Sequence, residues 1–228
     1  MHQMLTLEKI QVDDVLKDLD LTVFESEWVL VIGDNGAGKT TLFNTILGKI
    51  FPKKGKIKIQ GEDVTSWPSH KRASMVSYVF QDPRRGTLPH MTIRENILLA
   101  ARRGQKRSCL YNSSRKQEAS YREKLRLLDM NLENRLDDYP GDLSGGQRQA
   151  LSIALSLLAK AKIWLLDEIT AALDAKTSEK ILRIVHDTIR TQKKTCLMIT
   201  HDPRHRDQLG DRVMMLAQGK VLPACETS

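Results

Sequence analysis

The sequence predicts an α/β protein built on a mostly parallel β-sheet with helices on its faces. Three observations indicate this fold class. A glycine-rich loop at residues 33–41 lies between an apolar strand and a helix, apolar strands alternate with helical segments after residue 160, and two of these strands end directly before Asp167 and His201. Ligands of such sheets bind at the carboxyl ends of the parallel strands, so these residues are the first candidates for a site.

The first 80 residues predict short strands, which cover residues 4–10, 19–24, 28–32, 56–60 and 75–80. Asp13 and Asp14 supply the turn between the first two, and the fourth alternates charged or polar with apolar residues, as a half-exposed strand does. The last strand is apolar and stops at Gln81, directly before turn-forming residues. This part of the chain is therefore predicted to be mainly β-structure around the glycine-rich loop.

The middle of the chain changes to helical spacing. The predicted helices of this section cover residues 92–103, about 116–130 and 148–160. Thr92 and Glu95 have the spacing of a capping box at the start of the first helix. A polar, basic loop separates the first two helices, and the peptide Leu-Ser-Gly-Gly-Gln at residues 143–147 precedes the third. We therefore expect a helical insertion in an otherwise alternating chain.

The last third of the chain returns to alternation of strands and helices. Strands are predicted at residues 163–166, 195–200, 212–216 and 220–222, with a helix at about 176–190. The first two strands are continuous apolar runs, which is typical of buried parallel strands. The last two surround a turn at Gln218 and Gly219 and are predicted to form a hairpin.

The glycine-rich loop has the spacing of a phosphate-binding loop. Gly33, Gly36 and Gly38 allow the backbone to wrap an anion so that its N–H groups point inward. The amino end of the following helix adds partial positive charge, Lys39 adds a full charge, and the Thr40 hydroxyl is placed to ligate Mg²⁺. A bound nucleotide is therefore the first functional expectation.

Composition limits the other functions. The chain has 228 residues, a net charge of +8 and a pI near 9.4, and its three cysteines lie far apart. Free thiols in a reducing compartment are the natural interpretation of the cysteines. No stretch approaches the roughly 20 apolar residues that cross a bilayer, and residues 1–7 lack the core of an export signal. We therefore expect a soluble, cytoplasmic chain.

With the loop, the peptide at 143–147, the Asp167-Glu168 pair and His201 in this order, the chain resembles the ATP-binding subunit of an ABC transporter. The resemblance spans essentially the whole chain. It implies an ABC ATPase fold: a P-loop NTPase core with a parallel sheet, an N-terminal antiparallel β subdomain and an inserted helical subdomain. It also implies one domain over residues 1–228, with the core and β subdomain at about 1–81 and 160–228 and the helical subdomain at about 82–159.

The resemblance implies roles for the residues at the strand ends. Asp167 resembles the acid that holds Mg²⁺ through water, and Glu168 resembles the general base that activates water for attack on the γ-phosphorus. Gln81 resembles the glutamine that touches Mg²⁺ or the water and reports the γ-phosphate to the helical subdomain. His201 resembles the histidine that contacts the γ-phosphate, and Asp174 the aspartate that couples two sites across a dimer.

The peptide at 143–147, which we call the signature peptide, opens a second helix amino end without bulky side chains. The resemblance implies a head-to-tail dimer in which this peptide of one copy covers the γ-phosphate held by the other. The predicted cofactors are ATP and Mg²⁺, and the predicted metal ligands are Thr40, Gln81 and Asp167. The predicted catalytic residues are Lys39, Gln81, Glu168 and His201. The predicted nucleotide-binding residues are Gly33, Asp34, Asn35, Gly36, Ala37, Gly38, Lys39, Thr40, Thr41, Ser144, Gly145, Gly146, Gln147 and Asp174.

The sequence departs from the family pattern in three places. Ile169 stands where the family usually has proline after the catalytic glutamate, which is expected to alter that turn without removing a chemical group. Residues 10–16 offer no aromatic ring to stack on adenine, so base selectivity is expected to be weak. The basic stretch at 102–126 is longer than a minimal cassette needs, and either an exposed helical face or contact with the anionic inner leaflet or a membrane partner explains it.

The predicted partners follow from the same resemblance. They are a membrane-spanning permease, a second copy of the chain and an extracytoplasmic solute-binding protein, with no nucleic acid. The expected location is the cytoplasmic side of the cell membrane, and the expected cargo is a small solute such as an amino acid. The chain resembles importer cassettes, and residues 143–151 and 167–174 are similar to a subgroup paired with binding proteins for aromatic amino acids or related small solutes. The alternatives are a soluble ABC-type ATPase in nucleic-acid or cluster-assembly processes, an exporter ATPase, and a scaffold that binds nucleotide without hydrolysis.

Overall fold

The computed structural model of the chain describes residues 2–102, 115–159, 161–171, 173–202 and 209–222. Its strands are β1 (Gln3–Val12), β2 (Leu16–Phe24), β3 (Trp28–Ile32), β4 (Lys54–Ile59), β5 (Glu62–Asp63), β6 (Val76–Val79), β7 (Ile163–Asp167), β8 (Thr195–Ile199), β9 (Arg212–Ala217) and β10 (Lys220–Leu222). Its α-helices are α1 (Lys39–Ile46), α2 (Ser69–Arg72), α3 (Ile93–Ala100), α4 (Arg115–Arg126), α5 (Gly145–Leu157) and α6 (Ala175–Thr191). Short 3₁₀ turns lie at Pro83–Gly86, Leu132–Asn134 and Pro140–Asp142.

The main sheet of the described residues has the strand order β10-β9-β3-β8-β7-β6. Five of its strands are parallel, and only β10 runs antiparallel, beside β9. Every residue of β7 and β8 is buried, which explains their continuous apolar sequences. The carboxyl ends of β3, β6, β7 and β8 therefore open on one edge of the sheet, and this edge is where the predicted site residues follow their strands.

A second, antiparallel sheet has the order β2-β1-β4-β5. The hairpin of β1 and β2 turns at Asp13, whose φ of 42° lies in the left-handed region, as short turns require. The two-residue strand β5 lies outside the strands that the sequence predicts. The predicted combination of a parallel sheet with an N-terminal antiparallel β unit is confirmed.

Two apolar clusters lie on the two faces of the main sheet, because successive side chains of a strand point to opposite sides. Val29 and Val31 of β3 belong to the cluster that includes α1 and the antiparallel sheet. Trp28 and Leu30 belong to the other, which is built with α3, α4, α5 and α6. The helices of the middle section therefore share a core with one face of the sheet.

The boundaries of the middle helices differ from the prediction. Helix α3 has the predicted capping box, since Thr92 and Glu95 bond each other's backbone N–H. Helix α4 ends at Arg126 instead of residue 130, because Asp129 and Asn131 take left-handed φ angles of 49° and 59°. The predicted basic loop lies mostly outside the described residues. No helix in the described ranges is long and apolar enough to cross a membrane.

Arg72 of α2 is fully buried and connects helix α1, which follows the glycine-rich loop, to the segment around Thr65 and Trp67. Its Nη1 donates to the carbonyls of Thr45 (2.7 Å) and Ile46 (2.9 Å) at the end of α1. Its Nε and Nη2 donate to the carbonyls of Trp67 and Thr65, each at 2.9 Å. Burial lowers the pKa of Arg72 to about 10, so the guanidinium stays charged at neutral pH. A cation at this position suits the negative end of the helix dipole.

Candidate functional site

Four neighbouring strand ends form one cavity of about 840 Å³. Residues 33–41 enter it from β3, Gln81 follows β6, Glu168 follows β7 and His201 follows β8. Val15 of the β1–β2 turn closes another side. The topology therefore brings together residues that lie up to 168 positions apart in the chain, as the alternation of strands and helices predicts.

The cavity contains an uncapped helix amino end. Gly38 precedes α1 with a φ of 103°, and no side chain caps the helix. A side chain at Gly38 would also meet Leu16 at 3.0 Å and Val15 at 3.3 Å, so glycine fits both the backbone angle and the space. The first turn of α1 has no acidic residue, so its N–H groups and dipole are available to an anion.

Lys39 is the first residue of α1, and its side chain folds back over the loop. Its Nζ donates to the carbonyl oxygens of Gly33 (2.6 Å) and Asp34 (3.0 Å). Only 7% of the residue is exposed, so these carbonyls replace water around the ammonium group. The charge is thereby held over the loop that would enclose an anion.

Glu168 lies at the centre of a three-residue polar network. Gln81 Nε2 donates to Glu168 Oε2 at 3.0 Å, and His201 Nε2 lies 2.9 Å from Glu168 Oε1. The Glu168 backbone takes a φ of 44°, which is uncommon for a residue with a side chain. Ile169 is buried in the second apolar cluster, so the position where the family usually has proline is filled here by a core contact. The network holds the Glu168 carboxylate at the cavity, between the Gln81 amide and the His201 ring.

Asp167 is the last residue of β7 and is only 7% exposed. Tyr78 of β6 donates from its hydroxyl to Asp167 Oδ2 at 2.5 Å. Burial raises the pKa of the Asp167 carboxyl above its ordinary value, while the hydrogen bond from Tyr78 acts in the opposite direction. Burial is also the main reason why the pKa of Tyr78 rises far above its ordinary value, so this hydroxyl stays protonated and acts as the donor. Sequence reasoning missed Tyr78, since an apolar strand is all that its local pattern indicates.

The signature peptide lies outside this cavity. Ser144 and Gln147 form a capping box at the start of α5, with both bonds at 3.2 Å. This cap starts the helix at Gly145, three residues before the predicted position. Within the described residues, and apart from its chain neighbours and its own helix backbone, no heavy atom lies within 4 Å of the point where a side chain at Gly145 would begin, so this end of the helix faces open space. A single chain therefore does not bring the signature peptide to the glycine-rich loop.

Asp167 is not among the residues that line the cavity, and neither is Asp174, the last of the predicted site residues. It caps helix α6, where its side chain accepts from Thr177 N at 3.0 Å. A hydrogen bond with the Thr177 side chain is the main cause of the lowered pKa of Asp174, and the bond from Thr177 N acts in the same direction, so the group is a carboxylate at neutral pH.

Comparisons with known proteins identify the family. A family model described as ABC transporter matches residues 16–171. The chain belongs to the ABC transporter family. It is an ATP-binding subunit of this family and an ATPase, and the resemblance found in the sequence is confirmed.

Individual relatives of this ABC transporter chain include transport proteins. A tyrosine transport ATP-binding protein of Clostridioides difficile is 40% identical over 211 residues, which is 91% of this chain and 82% of that protein. A thiamine import ATP-binding protein of Shigella flexneri is 34% identical over 88% of this chain and 82% of its own length. A dimeric ATP-binding cassette, solved in a post-hydrolysis state with ADP and phosphate, is 28% identical with a TM-score of 0.81, over 96% of this chain and 97% of the other.

The donor set of this ABC subunit agrees with a magnesium ion that is held mainly by its nucleotide. Within the described ranges, no three His, Cys, Asp or Glu side chains converge on one point. Mg²⁺ in nucleotide sites commonly takes one or two carboxylates and completes its shell with phosphates and water. The buried carboxylate of Asp167, together with the hydroxyl of Thr40 and the amide of Gln81, offers oxygen ligands of that kind.

The predicted lack of a base-stacking ring also has a structural counterpart in this ABC subunit. Val15 is the only side chain of the first hairpin on the cavity, and no aromatic residue of the described chain lines it.

The basic stretch at 102–126 is only partly described. In that part Arg122 pairs with Glu118 at 3.1 Å, and Glu118 also pairs with Arg94 of α3 at 2.5 Å. The Arg94–Glu118 pair joins α4 to α3, and both pairs agree with an exposed helical face.

Proposed function

We propose that this chain powers the import of a small solute by closing and opening a head-to-tail dimer around two ATP molecules. One observation carries the proposal. The cavity contains the glycine-rich loop and three polar strand-end residues, but the second glycine-containing helix amino end, at Gly145, faces open space in the same chain. One chain therefore has two anion-binding helix ends at different places. In a head-to-tail dimer, each copy would bring its signature peptide to the nucleotide held by the other copy, which explains why the chain has both ends.

ATP binding uses the glycine-rich loop. The Lys39 ammonium has three donors, and its present partners are two loop carbonyls. Phosphate oxygens are charged and are stronger acceptors than carbonyls, so we expect Lys39 to transfer donors to the β- and γ-phosphates. The N–H groups of residues 33–41 and the amino end of α1 hold the remaining phosphate charge.

Thr40, Gln81 and Asp167 would hold Mg²⁺ beside the phosphates. When bound, the ion neutralises charge that develops on the β- and γ-phosphate oxygens. The protein's own part is to keep the Asp167 carboxylate buried and oriented, so that its charge meets a cation and not bulk water.

Glu168 takes the role of general base. Water attacks the γ-phosphorus, the bond to the bridging oxygen of ADP breaks, and the water proton passes to the Glu168 carboxylate. Gln81 and His201 already bond the two Glu168 oxygens, at 3.0 and 2.9 Å. We propose that they orient the carboxylate and the water, and that Lys39 and the two helix ends stabilise the charge on the phosphate.

The dimer requires the signature peptide to act on the partner's nucleotide. Ser144, Gly145, Gly146 and Gln147 would cover the γ-phosphate held by the other copy, and Asp174 would couple the two sites. Removal of the γ-phosphate then removes the shared ligand, so the dimer opens.

We also propose that the chain is divided into a core with the β subdomain, at about 1–81 and 160–228, and a helical subdomain at about 82–159.

The cargo and the membrane partners are proposed from the relatives. Tyrosine transport and thiamine import proteins are similar to this chain along most of their length, which supports a small solute such as an amino acid and the import direction. We propose a membrane-spanning permease as the direct partner, a solute-binding protein in the same system, and a location at the cytoplasmic side of the membrane.

The dimer is tested with a variant that binds but does not hydrolyse. We expect Glu168→Gln with ATP to form a dimer in size-exclusion chromatography with light scattering, while the same variant without nucleotide stays monomeric. Adding Gly145→Trp should abolish the dimer and leave ATP binding unchanged, because this position lies outside the chain's own cavity. A Glu168→Gln protein that binds ATP and stays monomeric with its permease present would contradict the proposal.

The transporter role is tested by copurification. We expect the chain to sediment with membranes of its source cell and to copurify with one membrane-spanning protein. Copurification with nucleic acid or with soluble assembly factors, and absence from the membrane fraction, would favour the soluble ATPase considered above.

A further inference from the structure

Tyr78 and Asp167 lie on neighbouring parallel strands of the main sheet. Tyr78 of β6 is opposite Leu165 of β7, and Asp167 follows two residues later on the same face. The Tyr78 hydroxyl reaches the end of β7 in this way and donates to Asp167 Oδ2 at 2.5 Å. The bond therefore joins the strand that leads to Gln81 with the strand that leads to Glu168.

The Tyr78 ring is fixed on several sides. Phe43 of α1 contacts it edge to face, with ring centres 6.2 Å apart, and Phe80 does so at 4.5 Å. Lys49 Nζ lies 5.1 Å from the ring centre. Aromatic contacts of this kind restrict both rotation and translation of the ring, so the hydroxyl keeps a defined position. The ring also connects the glycine-rich loop's helix to β6.

The bond selects one oxygen of the Asp167 carboxylate. Oδ2 accepts from Tyr78, which leaves Oδ1 as the oxygen that this bond does not engage. Asp167 is only 7% exposed, so water does little to orient it. Glu168, Lys39 and Arg85 are the charged groups that act on its pKa, and Tyr78 is the neutral donor that bonds it directly.

We propose that Tyr78 is a positioning residue, which orients the Asp167 carboxylate as a ligand for nucleotide-bound Mg²⁺ and connects it to helix α1. The inference rests on the proposed function, since the metal role of Asp167 is part of that function. Partners that orient metal ligands typically change metal affinity about 10- to 100-fold when removed. Removal of the Tyr78 hydroxyl alone should therefore weaken metal binding more than nucleotide binding.

The test measures metal binding without hydrolysis. In a Glu168→Gln background with saturating ATP, free Mn²⁺ is titrated by electron paramagnetic resonance. Tyr78→Phe keeps the ring contacts and removes the donor, and we expect the Mn²⁺ dissociation constant to rise about 10-fold. Tyr139→Phe, which removes an exposed hydroxyl, is the matched control and should leave it unchanged. ATP affinity in EDTA, measured with a fluorescent analogue, should be the same in all three proteins.

Asp167→Asn separates this inference from the proposed function. If Asp167→Asn weakens Mn²⁺ binding and Tyr78→Phe does not, the positioning role is refuted and the metal role of Asp167 stands. If neither variant changes Mn²⁺ binding, the metal assignment in the proposed function fails as well. Loss of ATP affinity in EDTA for Tyr78→Phe would show a merely structural role and would also overturn the inference.

Discussion

Gly219 supports the glycine-rich loop from the C-terminal hairpin, and its replacement by alanine should weaken both folding and ATP binding. Its carbonyl accepts from Lys17 N at 2.9 Å, and its N–H donates to the carbonyl of Ala37 at 3.2 Å. An added Cβ would lie 2.0 Å from the carbonyl oxygen of Val15, a backbone atom that cannot swing away. The residue also has a φ of 79°, in the left-handed region.

The expected cost of Gly219→Ala follows from these contacts. A side chain in the left-handed region costs about 1 kcal/mol, and relief of the overlap breaks two backbone hydrogen bonds worth about 1 kcal/mol each. The free energy of unfolding should therefore fall by about 3 kcal/mol, which lowers the Tm of a chain of this size by about 6–12 °C. Displacement of Ala37 should weaken ATP binding by about 1 kcal/mol, or roughly fivefold.

Gly61→Ala is the matched control. Gly61 has a similar φ of 81°, but nothing lies within 4 Å of its added Cβ, so this variant carries the backbone strain without the overlap. We expect it to lower the Tm by about 2–4 °C and to leave ATP affinity unchanged. Thermal unfolding followed by circular dichroism and titration with a fluorescent ATP analogue measure both quantities. Equal effects of the two variants on Tm and on ATP affinity would refute the reasoning.

Three further predictions concern the ATP site. Glu168→Gln should lower the rate of ATP hydrolysis at least about 100-fold in a phosphate-release assay, because it removes the general base. Glu123→Gln, at an exposed position, is the control. A Glu168→Gln protein that hydrolyses ATP at the native rate would show that Glu168 is not the general base. Lys39→Ala should weaken binding of a fluorescent ATP analogue about 10- to 100-fold, whereas Lys56→Ala, at an exposed position, should not. Unchanged affinity of Lys39→Ala would contradict the proposed contact of Lys39 with the phosphates. ATP and GTP should compete within about 10-fold, or 1.4 kcal/mol, because Val15 cannot stack on a base; a thousandfold preference for ATP would show that another group recognises adenine.

The main sheet and most of the cavity could be predicted because their signals are local. Continuous apolar runs that end in Asp167 or His201 indicate buried parallel strands, and parallel strands place such ends on one edge. The glycine-rich loop has its own spacing, and the capping box at Thr92 is a short pattern. These elements therefore required no knowledge of the chain's tertiary contacts.

Other features depend on which strands become neighbours, which the local pattern does not contain. Tyr78 reaches Asp167 only because β6 pairs with β7, and the two residues are 89 positions apart. Gly219 meets the glycine-rich loop through the packing of the last hairpin. Helix α5 starts earlier than predicted for a different reason. Helix propensity alone disfavours Gly145 and Gly146 in a first turn, but the Ser144 cap stabilises this turn. The metal and catalytic roles of the site residues stay predictions.

The buried guanidinium of Arg72 has a consequence for how tightly the chain can grip its nucleotide. An isolated helix of eight residues is mostly unfolded in water, yet α1 must present aligned N–H groups to the phosphates. Arg72 anchors the far end of this helix through the carbonyls of Thr45 and Ile46. The phosphate-binding end is therefore already ordered before ATP arrives, and preorganisation of this kind leaves more of the contact energy for affinity.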